Sequence, residues 1–209
     1  MRKNIWNFGL SVFTVFTAYS SILYANSNFK VDSFEYLALG MGYETLAAQS
    51  PAAPCDTLAD VPGLKDSSSV GLTATICPVA NTFAMATFLN KKVASLVMNW
   101  VSWDASQLDG SNKELSKMPA NLRKQYGIPA VTVAYERQFG NPDADRFCQE
   151  KGKCLVHIWR SAEANRVASL VYAKINDAEV PLILHLSDVA AEHDIDRLRK
   201  KLNDSVQAH

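Results

Sequence analysis

The sequence lacks an excess of charge of either sign. Its 21 Lys and Arg residues balance 21 Asp and Glu residues, and neither sign is concentrated in a long block. Removing Arg2 and Lys3 with an N-terminal signal would reduce the 21 basic residues to 19. Because nucleic-acid-binding domains carry a basic patch or stripe, this composition gives no indication of a nucleic-acid partner.

Catalytic motifs are also missing. The run Asp66-Ser-Ser-Ser69 contains three serines, but no Gly-x-Ser-x-Gly turn surrounds them and no neighbouring histidine could activate them. We interpret them as loop or helix-cap serines. No motif for a cofactor occurs either, and we expect none to be bound.

The N-terminus has the pattern of a secretory signal peptide. Arg2 and Lys3 precede an apolar segment from about residue 5 to 24, and small polar residues follow it. Cleavage after Ala25 places Leu23 at the third position before the cut, where alanine is preferred; cleavage after Ser27 is the other option. No cysteine follows the segment, so a lipoprotein attachment point is missing.

An uncleaved membrane anchor is the rival interpretation, because the apolar segment approaches the roughly 20 residues that span a bilayer. Its Ser, Thr, Asn and Gly content favours cleavage. We therefore expect a periplasmic or secreted protein without stable membrane insertion, made of a signal peptide (1–25) and a single α+β domain (26–209).

The few cysteines all lie in the exported portion. An even number in an oxidising compartment favours two disulfides, although four cysteines allow three connectivities. We favour the local pairs, since they require least from the fold, and the residues between the second pair form a polar, Gly-containing turn. A metal site is the alternative, but no histidine lies at ligand spacing from any cysteine. The favoured pairs are Cys55 with Cys77 and Cys148 with Cys154.

Period-two alternation predicts four strands in the C-terminal half, which should form an antiparallel meander. With Ile158 opposite Ser169 and Ile175 opposite Val180, three of the strands share one apolar surface. Their opposite face is also mostly apolar, so we expect both faces to be covered. Pro181 lacks a backbone donor and suits an edge strand or a bulge, which makes the last strand the candidate edge. The predicted strands are 131–137, 154–160, 167–175 and 180–186.

Apolar spacings of three and four predict helices before this sheet. The longest runs from about 79 to 106, with a division near Asn90 as one option, and another spans 33–49. Short helical turns are expected over 112–125, interrupted by Pro119, and loops over 50–69 and 139–147. A final helix is predicted over 189–206. The fold class is thus α+β: a helical N-terminal half (about 29–126) packed on a four-stranded antiparallel meander with a C-terminal helix (about 127–209), and two disulfides.

His157 and His185 are the candidate catalytic residues. In the registers above both lie opposite Leu170, on the same face and about 10 Å apart from two strand spacings. A slip of one residue in register would destroy this arrangement. Structural, half-buried histidines are the more ordinary interpretation of two histidines without an acid or cysteine at a set spacing.

Two function classes remain. The first is an exported binding or inhibitor protein that acts on another protein, such as an immunity-type protein against an envelope-acting toxin. The second is a small envelope hydrolase that uses His157 or His185 as a general base. The lack of a nucleophile–base motif favours the first.

We predict that protein purified from the cell envelope has lost about 25 residues and carries no free thiol. Intact mass should therefore show removal of the signal peptide and of four hydrogens. A full-length mass would support the anchor, and a reactive thiol would contradict the two disulfides.

Overall fold

The computed structural model describes residues 32–49, 54–79, 81–104, 106, 108–136, 141–161 and 165–207. The strands are β1 (Ser33–Phe34), β2 (Leu37–Ala38), β3 (Ala59–Asp60), β4 (Leu72–Val79), β5 (Thr82–Leu89), β6 (Lys92–Asn99), β7 (Val131–Ala134), β8 (Cys154–Ser161), β9 (Arg166–Ile175) and β10 (Ala178–Asp188). The helices are α1 (Tyr43–Gln49), α2 (Trp100–Asp104), α3 (Lys113–Tyr126), α4 (Pro142–Lys151) and α5 (Val189–Gln207), with a 3-10 turn at Ser67–Val70. The predicted signal peptide lies outside the described residues.

Eight strands form one antiparallel sheet in the order β3-β4-β5-β6-β10-β9-β8-β7. Two meanders of four strands each meet where β6 pairs with β10. The predicted fold, a helical half on a four-stranded sheet, is therefore wrong. The four predicted strands are present, but they form only half of the sheet.

The longest predicted helix, over about 79–106, is instead the hairpin of β5 and β6 for most of its length, and only its end forms the short helix α2. Nearly every residue of β6 is buried, because the sheet is covered on both faces, and this erases the alternation that marks a half-exposed strand. Apolar residues then occur at helical spacings by chance. Asn90 and Lys91 join the strands with φ of 50° and 68°, which is the conformation of a two-residue hairpin turn.

The predicted helix over 33–49 is also wrong for most of its length. It contains the small hairpin of β1 and β2, followed by the short helix α1. Gly40 has a φ of 85°, which no α-helix adopts, and its N–H donates to the carbonyl of Val93. The hairpin is thereby attached to β6.

Three further segments have different structures from those expected. The segment 50–69, predicted as a loop, contains β3 and the start of the 3-10 turn. The segment 139–147, predicted as a loop, contains the start of helix α4 at Pro142. Its start signals are present in the sequence: the Asn141 side chain accepts hydrogen bonds from two backbone N–H groups, and proline occupies the first helical turn. Helix α3 is continuous and contains Pro119, instead of being interrupted there.

The registers of the C-terminal strands were predicted correctly on one side of β9 only. Ile158 pairs with Ser169, as expected. Ile175, however, pairs with Ala178 instead of Val180, and the register shifts again at a bulge between Pro181 and Ile183. The prediction that β10 forms the edge is wrong, because β10 lies between β6 and β9 at the centre of the sheet. A proline is tolerated there because the bulge interrupts the ladder beside it.

Both faces of the sheet are covered, as predicted. Helix α3 lies on the face that carries His157, which we call the α3 face, and α5 lies on the face that carries His185, the α5 face. Ile183 and Leu184 point to opposite faces and are 4% and 0% exposed. The predicted C-terminal helix is confirmed as α5.

Two disulfides attach peripheral segments to the sheet, and both predicted pairs are confirmed. Cys55 is bonded to Cys77 of β4, and Cys148 of α4 is bonded to Cys154 of β8. No free cysteine occurs among the described residues, which include all four in the sequence. Closing these loops should stabilise the fold by about 2–4 kcal/mol each.

We predict that Ile183→Asp and Leu184→Asp each lower the free energy of unfolding by at least about 3 kcal/mol, since both bury a charge without a partner. Ile128→Asp is the matched control, because Ile128 is 86% exposed. It should change stability by less than about 0.5 kcal/mol in urea unfolding. A neutral Ile183→Asp would mean that the α5 face is open to solvent.

Candidate functional site

The two candidate histidines lie on opposite faces of the sheet. His157 pairs with Leu170 and His185 with Ser169, and neighbouring residues of one strand point to opposite faces. The bulge after Pro181 produces the one-residue shift that separates them. The predicted arrangement of both histidines opposite Leu170 is therefore wrong.

His157 has hydrogen-bond partners at both ring nitrogens. Its Nε2 lies 3.1 Å from Nη1 of Arg123, and its Nδ1 lies 2.7 Å from Oγ1 of Thr132. Because arginine can only donate, Nε2 accepts, and Nδ1–H is then the donor to the threonine hydroxyl. The lone pair that a general base would use is occupied.

Charge and burial keep this imidazole neutral. Burial, together with the nearby charge of Arg123, lowers the pKa of His157 to about 4, although Glu179 partly opposes the effect. Nη2 of Arg123 also donates to Oε2 of Glu179 at 2.6 Å. The rings of Tyr172 and Trp159 pack against the imidazole at centroid distances of 4.5 and 5.5 Å. The contacts of His157 and Arg123 together thus link α3 to β7, β8 and β10.

His185 belongs to a separate buried cluster beneath α5. Its Nε2 lies 3.0 Å from Oγ of Ser95 and 3.2 Å from Oε1 of Glu192. In a catalytic triad the nucleophile and the carboxylate contact different ring nitrogens, whereas here both approach the same one. Oε1 of Glu192 makes no hydrogen bond in the described structure, so the carboxylate and the ring lack the directed hydrogen bond of a triad. The geometry is that of a contact holding α5 on the sheet.

The serines of Asp66-Ser-Ser-Ser69 stabilise a loop, as the sequence suggested. Oγ of Ser67 accepts from the Val61 N–H, and the carboxylate of Asp60 accepts from the N–H groups of Asp66 and Ser68. The hydrogen bonds from Ser68 hold the pKa of Asp60 below its usual value. This loop follows β3, which contributes only two residues at one edge of the sheet.

The other edge of the sheet, at β7, is open. The N–H of Tyr135 donates to the carbonyl of Cys154. In an antiparallel ladder every second residue points its backbone groups toward the same neighbour, so Val133 and Val131 also direct theirs toward β8. The N–H and C=O groups of Thr132 and Ala134 then point away from the sheet. Among the described residues no strand pairs with this side of β7.

An exposed apolar side chain lies next to this edge. Ile128, three residues before β7, is 86% exposed, whereas Leu58 and Phe83, the next most exposed large apolar residues in the described part of the chain, are 37% exposed. No charged residue occurs from 128 to 135. We call the segment 128–134 the open edge.

Sequence reasoning missed the open edge, although a signal for it was present. In Val-Thr-Val-Ala of β7 apolar residues alternate with small or polar ones, as in a half-exposed strand, while β10 is an almost continuous apolar run, as in a buried strand. The proline in β10 is the more conspicuous signal and points to an edge. Burial of both faces at β10 outweighs it.

The described part of the chain contains neither a cluster of metal ligands nor a membrane-spanning helix. No group of three or more His, Cys, Asp or Glu residues comes together there in a way that could hold a metal ion. No helix in those residues is both long and apolar enough to cross a membrane.

Comparison with known proteins places the chain in no family. No family model matches it, and neither a curated protein nor a solved structure is significantly similar.

We predict that His157 makes the protein less stable as pH falls from about 6.5 to 4. In this window the unfolded chain binds a proton at His157, whose ordinary pKa is 6.5, while the folded protein does not, so acid favours unfolding. The loss should be roughly 1–2 kcal/mol, less than the full shift implies, because water screens the partly exposed Arg123.

Urea unfolding of wild type and His157→Gln between pH 7 and pH 4 measures this effect. The variant should be less stable at pH 7 but lose less on acidification. Equal losses in the two proteins would show that His157 is not the group responsible.

Proposed function

We propose that this chain is an exported binding protein that acts through protein–protein interaction at the open edge of its sheet. The observation that carries the proposal is the row of outward-facing backbone groups at Thr132 and Ala134. An inhibitor of the immunity type, which neutralises an envelope-acting toxin, would have these properties.

The two edges of the sheet differ in a way that supports binding at β7. Natural proteins protect edge strands by shortening, charging, bending or covering them, because an unprotected edge pairs with other chains. The edge at β3 is only two residues long, and the Asp60 loop folds directly after it. Strand β7 has four residues, no charge, no proline and no bulge. An edge left unprotected in this way suits a site for a partner strand.

A different protein is a better partner for this edge than a second copy of the chain. Four residues of strand extend over only about 13 Å. Two rigid copies meeting there would share only this short ladder, whereas a stable interface buries roughly 1,000 Å² or more. An extended segment of another protein can follow β7 and also contact Ile128.

Export is supported by the disulfides, which are typical of oxidising compartments such as the periplasm or the extracellular space. Cleavage of residues 1–25 as a signal peptide remains part of the proposal. The alternative, an envelope hydrolase using His157 or His185, has less support, because Arg123 occupies the acceptor nitrogen of His157 and His185 is enclosed beneath α5.

We predict that Ala134→Pro weakens partner binding by roughly tenfold or more while the fold remains intact. The N–H of Ala134 points away from β8, so proline removes a donor that the sheet does not use but that a partner strand would need. The measurement is binding to the protein captured by wild type from an envelope extract of the native host.

Ala134→Ser is the matched control, since serine keeps the N–H and is nearly as small as alanine. Binding should weaken by roughly tenfold or more in Ala134→Pro and change little in the control. Thermal melting checks that both variants are folded, and Ala134→Lys, which keeps the N–H but adds an edge charge, provides a second disrupting variant. If the two disrupting variants bind as wild type does, the open edge is not the site.

A further inference from the structure

We infer that the partner contributes an uncharged extended segment, which pairs with β7 as a ninth strand; this inference rests on the proposed function. In that segment apolar residues alternate with polar or bulky ones. The outward groups of Thr132 and Ala134 are two residues apart. An antiparallel segment can meet both in hydrogen-bonded pairs, which gives four main-chain hydrogen bonds. The backbone therefore selects an extended segment and not a helix.

On the α5 face, the open edge favours a partner segment with apolar side chains. Val131 and Val133 are half-buried and stand beside Ile158 and Val156 of β8, which are buried. Partner residues opposite the two valines would continue this apolar row by one strand. β-branched residues fit such a position best, since cross-strand pairs on a pleated surface favour them.

On the α3 face, the open edge favours a partner segment with neutral side chains, and the one opposite Ala134 can be large. Ala134 is exposed and has no atoms beyond Cβ, so a bulky residue can lie opposite it. The hydroxyl of Thr132 is bonded to His157, and the charge of Arg123 is compensated by Glu179. No uncompensated charge among these described side chains would attract a charged partner residue.

Synthetic peptides test the inference directly and do not require the natural partner. The probe is an acetylated, amidated eight-residue peptide in which valines alternate with threonine and tyrosine. One control has the same sequence N-methylated on the edge that would face β7, and a second replaces the valines by aspartate. Titrations with the protein as purified from the cell envelope are followed by amide NMR signals and hydrogen exchange at Thr132 and Ala134.

The valine peptide should shift these two amides and slow their exchange. The N-methylated peptide should bind roughly tenfold or more weakly, because it loses two main-chain hydrogen bonds. Equal binding of either control would overturn the inference. If no peptide affects Thr132 and Ala134 while Ala134→Pro still weakens capture of the natural partner, this inference fails but the proposed function stands.

Other occupants of the edge give different results. If both amides are already protected in the free protein, and gel filtration shows a dimer that Ala134→Pro converts to monomer, a second copy occupies the edge. If protection disappears when residues 1–31 are deleted, the chain's own N-terminal segment occupies it. Either result overturns the inference. Peptide binding together with partner capture that is unaffected by Ala134→Pro would instead contradict the proposed function.

Discussion

The pairing of β6 with β10 is the contact on which the rest of this structure depends. It joins two meanders that are each continuous in the chain, and it brings together residues about 90 positions apart, such as Leu96 and Leu186. These strands are buried on both faces, with α3 packed on β10 and α5 packed on both β10 and β6. The two edges of the sheet, β3 and β7, lie at the far ends of the two meanders. The location of the open edge therefore follows from the central pairing.

The bulge at Pro181 separates the two histidines. Without it, His185 would lie on the same face as His157, as the unbroken alternation predicted. With it, His185 turns toward Ser95 and Glu192 and contributes to the contact with α5, while His157 becomes the centre of a network with Thr132, Arg123 and Glu179. One irregular residue thus converts a candidate catalytic pair into two structural contacts.

The network around His157 also bears on the open edge. Thr132 presents its backbone N–H and C=O at the edge, and its side chain is held by a neutral imidazole that Arg123 orients. The strand β7 is thereby held by side-chain contacts as well as by its ladder with β8. An edge that is already ordered loses little conformational entropy when a partner strand binds, which favours affinity.

Local chemistry in the sequence determined several features by itself. Cysteine spacing predicted both disulfides, the charged and apolar pattern of 189–206 predicted α5, and alternation predicted the four C-terminal strands with the register of Ile158 against Ser169. Each depends on neighbours in the chain. Only the tertiary structure decided that β5 and β6 are strands, that β10 is central and that β7 is the edge. Burial on both faces removes the alternation from a central strand, and a single bulge inverts every side chain beyond it, so these features depend on contacts between residues far apart in the sequence.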